Sequence, residues 1–178
     1  DPDGMKIVDS NNRPITYSPQ TGWSKNATES AKRIGNALML TPSGTSYLQG
    51  MMDSEYPITL EIKDIVVCGE NGNLRGGANI KSTAKNIKTN ITRVTKILIE
   101  IYEGSVKREL QNEYQGLSLE EAIGAIAAHE SGHADPENIK LSLEKENKQQ
   151  NDPKVEKSAD IREDTYINEI KNKKEKTN

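Results

Sequence analysis

Residues 118–136 read SLEEAIGAIAAHESGHADP and contain both histidines of the chain, His129 and His133, four positions apart with Glu130 after the first. The stretch reads as one helix. Ser118 and Glu121 form a capping box: the serine accepts an amide proton of the first turn, and the glutamate reaches back to the serine amide. Ile123, Ile126 and Ala127 supply an apolar face, and Gly132 with Ala134, Asp135 and Pro136 ends the helix after His133. Residues four apart lie one turn apart on one face, so both imidazoles can aim at a common centre. Glu130, rotated by about 100°, is too short-reaching to join them comfortably but can touch a water there. HExxH in this setting is the arrangement in which two histidines hold zinc and the glutamate is general base to its water.

Working outward, the pattern predicts an α+β domain. Residues 1–23 read as a connector, because DPDG, NNRP and SPQTG are turn-forming clusters separated by the short extended pieces KIV and PITY. Whether they fold with the rest is left open. From about Ser24 the spacing of Ala27, Ala31, Ile34 and Leu38 predicts a helix to about Leu40, and TSYLQGMM a short second one. ITLEIKDIVV, ANIKST and VTKILIEIYE read as strands of a small twisted, mostly antiparallel sheet, with Ile97, Ile99 and Ile101 on one face of the last. GENGNLRGG is a loop. Residues 134–153 are polar and irregular, and EKENKQQND within them reads as a solvated loop or frayed helix. Asp152 as N-cap and Pro153 at the first helical position start a final helix, with Val155, Ala159, Tyr166 and Ile170 as its apolar stripe. The tail from residue 171 to 178 is expected to be unfolded, so the folded domain spans 24–178 without its last residues.

Composition narrows the function classes. The core must be aliphatic, since 178 residues include no Phe, one Trp and six Tyr. A net charge of −3 gives no electrostatic case for nucleic acid. Cys68 is the only cysteine, which excludes an internal disulfide and a cysteine-rich zinc knuckle. No apolar run approaches the ~20 residues that span a bilayer. The opening DPDGMKIVDS lacks the basic and apolar segments of a secretory leader, so a larger protein is expected to carry this domain if it leaves a cell.

A catalytic zinc needs a third protein ligand, with water in the fourth place. No histidine remains, so the ligand must be a carboxylate: Asp135, Glu137, Glu144, Glu146, Glu156, Asp160 or Glu163. Asp135 and Glu137 sit where the chain turns away from His133, and the glutamates of the polar loop lack rigid support. Glu156 lies near the start of the capped final helix with Asp160 one turn on. Glu156 can therefore bind the metal while Asp160 accepts a hydrogen bond from a ligand imidazole and fixes the ring. A donor for the oxyanion is also needed; Tyr166 is the candidate, with Tyr102 and Tyr114 as alternatives.

HESGH at 129–133, followed about twenty residues later by EKSAD at 156–160, resembles the gluzincin pattern of thermolysin and its relatives. That resemblance covers roughly the last 60 residues. It implies His129, His133 and Glu156 as zinc ligands, Glu130 as base and Asp160 as the partner of a ligand imidazole. The additional catalytic histidine of the thermolysin family has no counterpart in this chain. LTPSGTSYLQGM ahead of ITLEI, then the HExxH helix, then EKSADIREDTYINEI, is similar to the layout of small zincin effector proteases injected by bacterial type III systems. The opening DPDGM resembles the end of the core of Rhs-type polymorphic toxins, where a DPxG motif precedes a variable C-terminal toxin. Together these imply a zincin-like metallopeptidase toxin domain, delivered by its parent Rhs-type shell and secretion machinery for interbacterial competition. It would act on protein substrates in the target-cell cytoplasm and have a cognate immunity protein. The strand over 94–102 would offer an edge for an extended substrate.

Two other readings compete. An Rhs-type toxin can be a nuclease, against which stand the acidic balance and the absence of basic–aromatic patches. A non-catalytic module would use its metal structurally, but such sites are usually closed and cysteine-rich.

Overall fold

The computed structural model describes residues 6–144 and 153–177. Residues 6–23, which look like a connector in sequence, are packed into the core. Ile7 and Ile15 are buried, Val8 donates its N–H to Ile58 O, and Ile58 donates to Lys6 O. Asp9 ties the turn between them, accepting the amides of Asn11 and Arg13 at 2.9 and 3.0 Å. A small antiparallel ladder follows, β1 (Tyr17–Ser18) on β2 (Gly22–Trp23), with Gly22 in the left-handed region at φ 71°.

Two helices come next. Thr28 caps α1 (Glu29–Leu38), whose Ala31, Ile34 and Leu38 face inward. Thr41 caps α2 (Pro42–Met52), with the proline in its first turn.

The three-stranded sheet has the order β3 (Ile58–Lys63), β5 (Ile91–Tyr102), β4 (Gly77–Asn86). It is mixed: β4 runs antiparallel to β5 and β3 runs parallel to it. Hence the strand over 94–102 is the central one and cannot pair with a substrate. Residues 6–8 pair with Ile58 at the start of β3 and Ser30 Oγ accepts the Ile62 amide, while the outer edge of β4 has no paired strand among the described residues. Ile97, Ile99 and Ile101 are buried on one face of β5, as their alternation requires.

A short helix, α3 (Glu103–Glu109), leads to the HExxH helix, α4 (Leu119–His133), which starts with the expected Ser118–Glu121 capping box. Residues 136–144, irregular by their sequence, form a helix, α5 (Pro136–Glu144), with Ile139 buried as its anchor. The final helix, α6 (Pro153–Glu175), buries Val155, Ala159, Tyr166 and Ile170. It continues through the segment expected to be unfolded, because Lys174 Nζ docks on Gly116 O at 2.8 Å and Glu121 Oε2 at 2.6 Å. The DPDG motif, Glu146 and Asp152, and the Glu144 side chain, lie outside the described residues. No helix among the described residues is long and apolar enough to cross a membrane.

Candidate metal centre

The site is set by one close helix crossing. A Cβ at Gly132, in the middle of HESGH, would lie 2.8 Å from Ala159 Cα and 3.1 Å from Ala159 Cβ. Only glycine at 132 and a small residue at 159 let α4 and α6 approach this closely. The approach carries Glu156, one turn before Asp160, over the histidine pair. His129 Nε2 lies 3.2 Å from His133 Nε2 and 3.4 Å from Glu156 Oε1, and His133 Nε2 lies 3.5 Å from Glu156 Oε2. These three residues form a group that could hold a metal ion.

The other carboxylates are used differently. Asp135 is held by Arg162 at 2.6 Å and its backbone starts α5; Glu137 is exposed beside it. Asp160 Oδ1 lies 3.5 Å from His129 Nδ1, but its side chain is 59% exposed. Glu163 Oε2 comes closer, at 3.2 Å, and is only 16% exposed. His129 Nδ1 is buried and neither carboxylate lies in line with its N–H, so that nitrogen has no well-aligned partner. Glu163 was one of seven carboxylates open as a third ligand; it turns out to be the nearer support for the His129 ring. The signal was available in the 156–160–163 spacing, which places all three acids on one helix face. His129, Asp160 and Glu163 make a second group that could hold a cation.

The tyrosines do not reach the site as expected. Tyr166 is fully buried and donates its hydroxyl to Ala37 O at 2.6 Å, in a slot that exists because residue 124 is glycine. It is a core residue joining α6 to α1, not an oxyanion donor. Tyr114 donates to Glu163 Oε1 at 2.8 Å and so steadies the support of His129. Tyr102 donates to Glu100 Oε2 at 2.9 Å.

Glu130 is buried beside the pair, with Oε1 only 3.0 Å from where a Gly77 Cβ would stand. Its backbone O accepts from Asn79 Nδ2 at 3.1 Å, which fixes α4 against β4. Burial pushes the Glu130 carboxyl up to about 7, against the pull of His129 and Arg75. Burial also works against a charged His129, but Glu163, Glu130 and Glu156 outweigh it and hold that imidazole up to about 9. His133 is pushed down to about 4 by burial, then by His129, Lys81 and Arg75. The proton on His129 is thus favoured over one on His133, with the two Nε2 atoms facing each other at 3.2 Å.

No family model matches the chain, and neither a curated protein nor a solved structure matches it.

Proposed function

We propose that this chain is a zinc-dependent endopeptidase domain, with His129, His133 and Glu156 as ligands and Glu130 as general base. The observation that carries the reading is the ligand triangle. Zinc–ligand bonds of about 2.0–2.1 Å in tetrahedral geometry put neighbouring ligand atoms about 3.3–3.4 Å apart. The imidazole nitrogens are 3.2 Å apart, and the Glu156 carboxylate straddles them, with Oε1 3.4 Å from His129 Nε2 and Oε2 3.5 Å from His133 Nε2. Two imidazoles and a carboxylate are a usual donor set for a catalytic zinc. Glu163 Oε2, 3.2 Å from His129 Nδ1, is the carboxylate that would accept from that ring when its other nitrogen binds metal.

Bound there, zinc would polarise a peptide carbonyl and bring the pKa of its water towards ~7. Glu130, buried beside the pair, would take the proton from the attacking water and return it to the leaving nitrogen. Glu163, held by Tyr114, keeps the His129 ring oriented. The free edge of β4 lies on the same side of the helix as Glu130, and an extended peptide can add to it as a further strand. Delivery as the toxin domain of an Rhs-type protein belongs to the same proposal and is supported by the sequence resemblance alone.

Metal analysis should find about one zinc per chain, lost in His133→Ala. Glu130→Gln should keep the metal and abolish peptide hydrolysis. Expression of wild type and Glu130→Gln in a naive bacterium, with a proteome-wide search for new peptide termini, tests both parts. Intoxication that survives Glu130→Gln ends the peptidase reading, and degraded nucleic acid would favour a nuclease.

A further inference from the structure

Gly77, Asn79 and Lys81 alternate along β4, and alternate residues of a strand share a face. Arg75 lies two residues before β4, where its N–H is donated to Val67 O at 2.8 Å, and the ladder with β5 begins at Gly76. Tyr102 donates to Gly76 O at 2.7 Å, and the pairing of β4 with β5 keeps its register from Gly77 until the shift between Ser82 and Thr83. Two of these strand residues touch Glu130: Gly77 faces its carboxylate and Asn79 bonds its backbone carbonyl. Lys81 therefore lies on the face of β4 that packs on Glu130, and Arg75 is near enough to act on Glu130 through space.

We propose that Arg75 and Lys81 form a carboxylate subsite beside the metal centre, so that the preferred substrates are peptides carrying a carboxylate next to the bond that is cut. The proposal rests on the peptidase reading and names its substrate class. Neither cation makes an ion pair or a side-chain hydrogen bond with another described residue, whereas Arg13, Arg33, Lys63, Lys107, Arg162 and Lys174 all do. Lys81 has also lost solvent: burial lowers its pKa, and Glu130 is the acid that opposes this. Both cations act on His133 through space, and Arg75 acts on Glu130 as well. Acids on α6 and the two cations thus lie on different elements around the metal centre, and neither cation is ion-paired among the described residues. A peptide bound there gains a charge-assisted contact by offering an anion to them. An acidic side chain and a free C-terminus present the same group.

The test uses the zinc-loaded chain and hexapeptides in matched pairs, Asp against Asn at each position and C-terminal acid against amide. Wild type should favour the carboxylate member of at least one pair by about tenfold or more in kcat/KM. Arg75→Met and Lys81→Met should each bring that ratio towards one, and Lys81→Glu should reverse it in favour of a Lys-bearing peptide. A preference confined to the acid–amide pair identifies a C-terminal carboxylate; one confined to the Asp–Asn pairs identifies a side chain. Calorimetry in a Glu130→Gln background supplies a readout without turnover, in which Lys81→Met should weaken binding of the carboxylate peptide about tenfold. Arg75 is exposed, so its variant should fold even if replacement of Lys81 disturbs the strand. A wild type that cleaves peptides with no such ratio, or variants that leave the ratio intact, would overturn the subsite alone. A zinc-loaded wild type that cleaves none of the peptides would overturn the peptidase reading and the subsite with it.

Discussion

Gly132→Ala adds one methyl group where α4 and α6 come closest. That carbon would stand 2.8 Å from Ala159 Cα, 3.1 Å from its Cβ and 3.3 Å from its N. Backbone atoms inside a packed helix cannot rotate out of the way. Relief to an ordinary contact of 3.4 Å requires the helices to part by at least 0.6 Å. Glu156 moves with α6 while both histidines stay on α4, so the gaps of 3.4 and 3.5 Å open to about 4 Å. Metal sites tolerate roughly 0.2 Å in ligand distance, which makes the displacement several times too large. We expect zinc affinity to fall by about 10–100-fold, in line with an overpacking strain of about 1–3 kcal/mol. Overall stability should fall less, because alanine favours the helix over glycine by roughly 0.5–1 kcal/mol. Competition with a chromophoric chelator measures the affinity, and thermal unfolding followed by circular dichroism measures the fold. A folded Gly132→Ala protein that binds zinc within about twofold of wild type would refute the claim that this crossing delivers the third ligand.

Glu163→Gln should weaken zinc binding by about 10–100-fold, and Asp160→Asn should have much the smaller effect; the reverse order would show that Asp160 holds the ring. Tyr166→Phe should lower Tm by a few degrees, since one net hydrogen bond contributes about 0.5–1.5 kcal/mol. Loss of peptide cleavage by a folded, zinc-bound Tyr166→Phe protein would contradict its place in the core. Asp9 is held down to about 2 by the Arg13 amide, against the cost of its burial, with the Arg13 guanidinium and the Asn11 amide assisting. For a depressed carboxylate the stabilisation is complete above the ordinary value of 3.8 and is lost as pH falls through about 2. The stability gap between wild type and Asp9→Asn, read from urea unfolding, should therefore be full at pH 5 and close towards pH 2. A gap that does not change with pH would reject the assignment.

The parts of the molecule legible in sequence are those set by short-range geometry. HExxH, the Ser118–Glu121 box and the four buried positions of α6 each depend on spacing within one helix, and each stands where that spacing puts it. Other features depend on what packs against them from far along the chain. The role of Tyr166 follows from Gly124 and Ala37, which no periodicity links to it. The central place of β5 follows from a parallel pairing with β3 that skips β4 in the sequence. The burial of Ile7 and Ile15 follows from a bridge to β3 some fifty residues on. One miss was avoidable: Asp135–Pro136 is the same start signal as Asp152–Pro153, and Asp135 Oδ1 does accept the Glu137 amide at 3.1 Å.

The contact that brings α6 to α4 is apolar, which bears on what a metal would do here. Val155, Ala159, Tyr166 and Ile170 are buried along α6, two of them against Gly132 and Gly124 of the HExxH helix. Burying side chains of this size contributes on the order of 1–3 kcal/mol each, enough to dock the helix by packing alone. A small domain whose helices are gathered by its metal unfolds when the metal is removed. In this chain the same apolar stripe that fixes Ala159 on Gly132 also fixes Glu156 above His129 and His133, so the core positions the three side chains, and under the peptidase proposal a bound cation would be free to act on a substrate. Chelation should then cost hydrolysis while the far-ultraviolet spectrum and the cooperative thermal transition persist. A chain that unfolds when zinc is stripped would show instead that the metal is the staple, and would move the site from catalysis to structure.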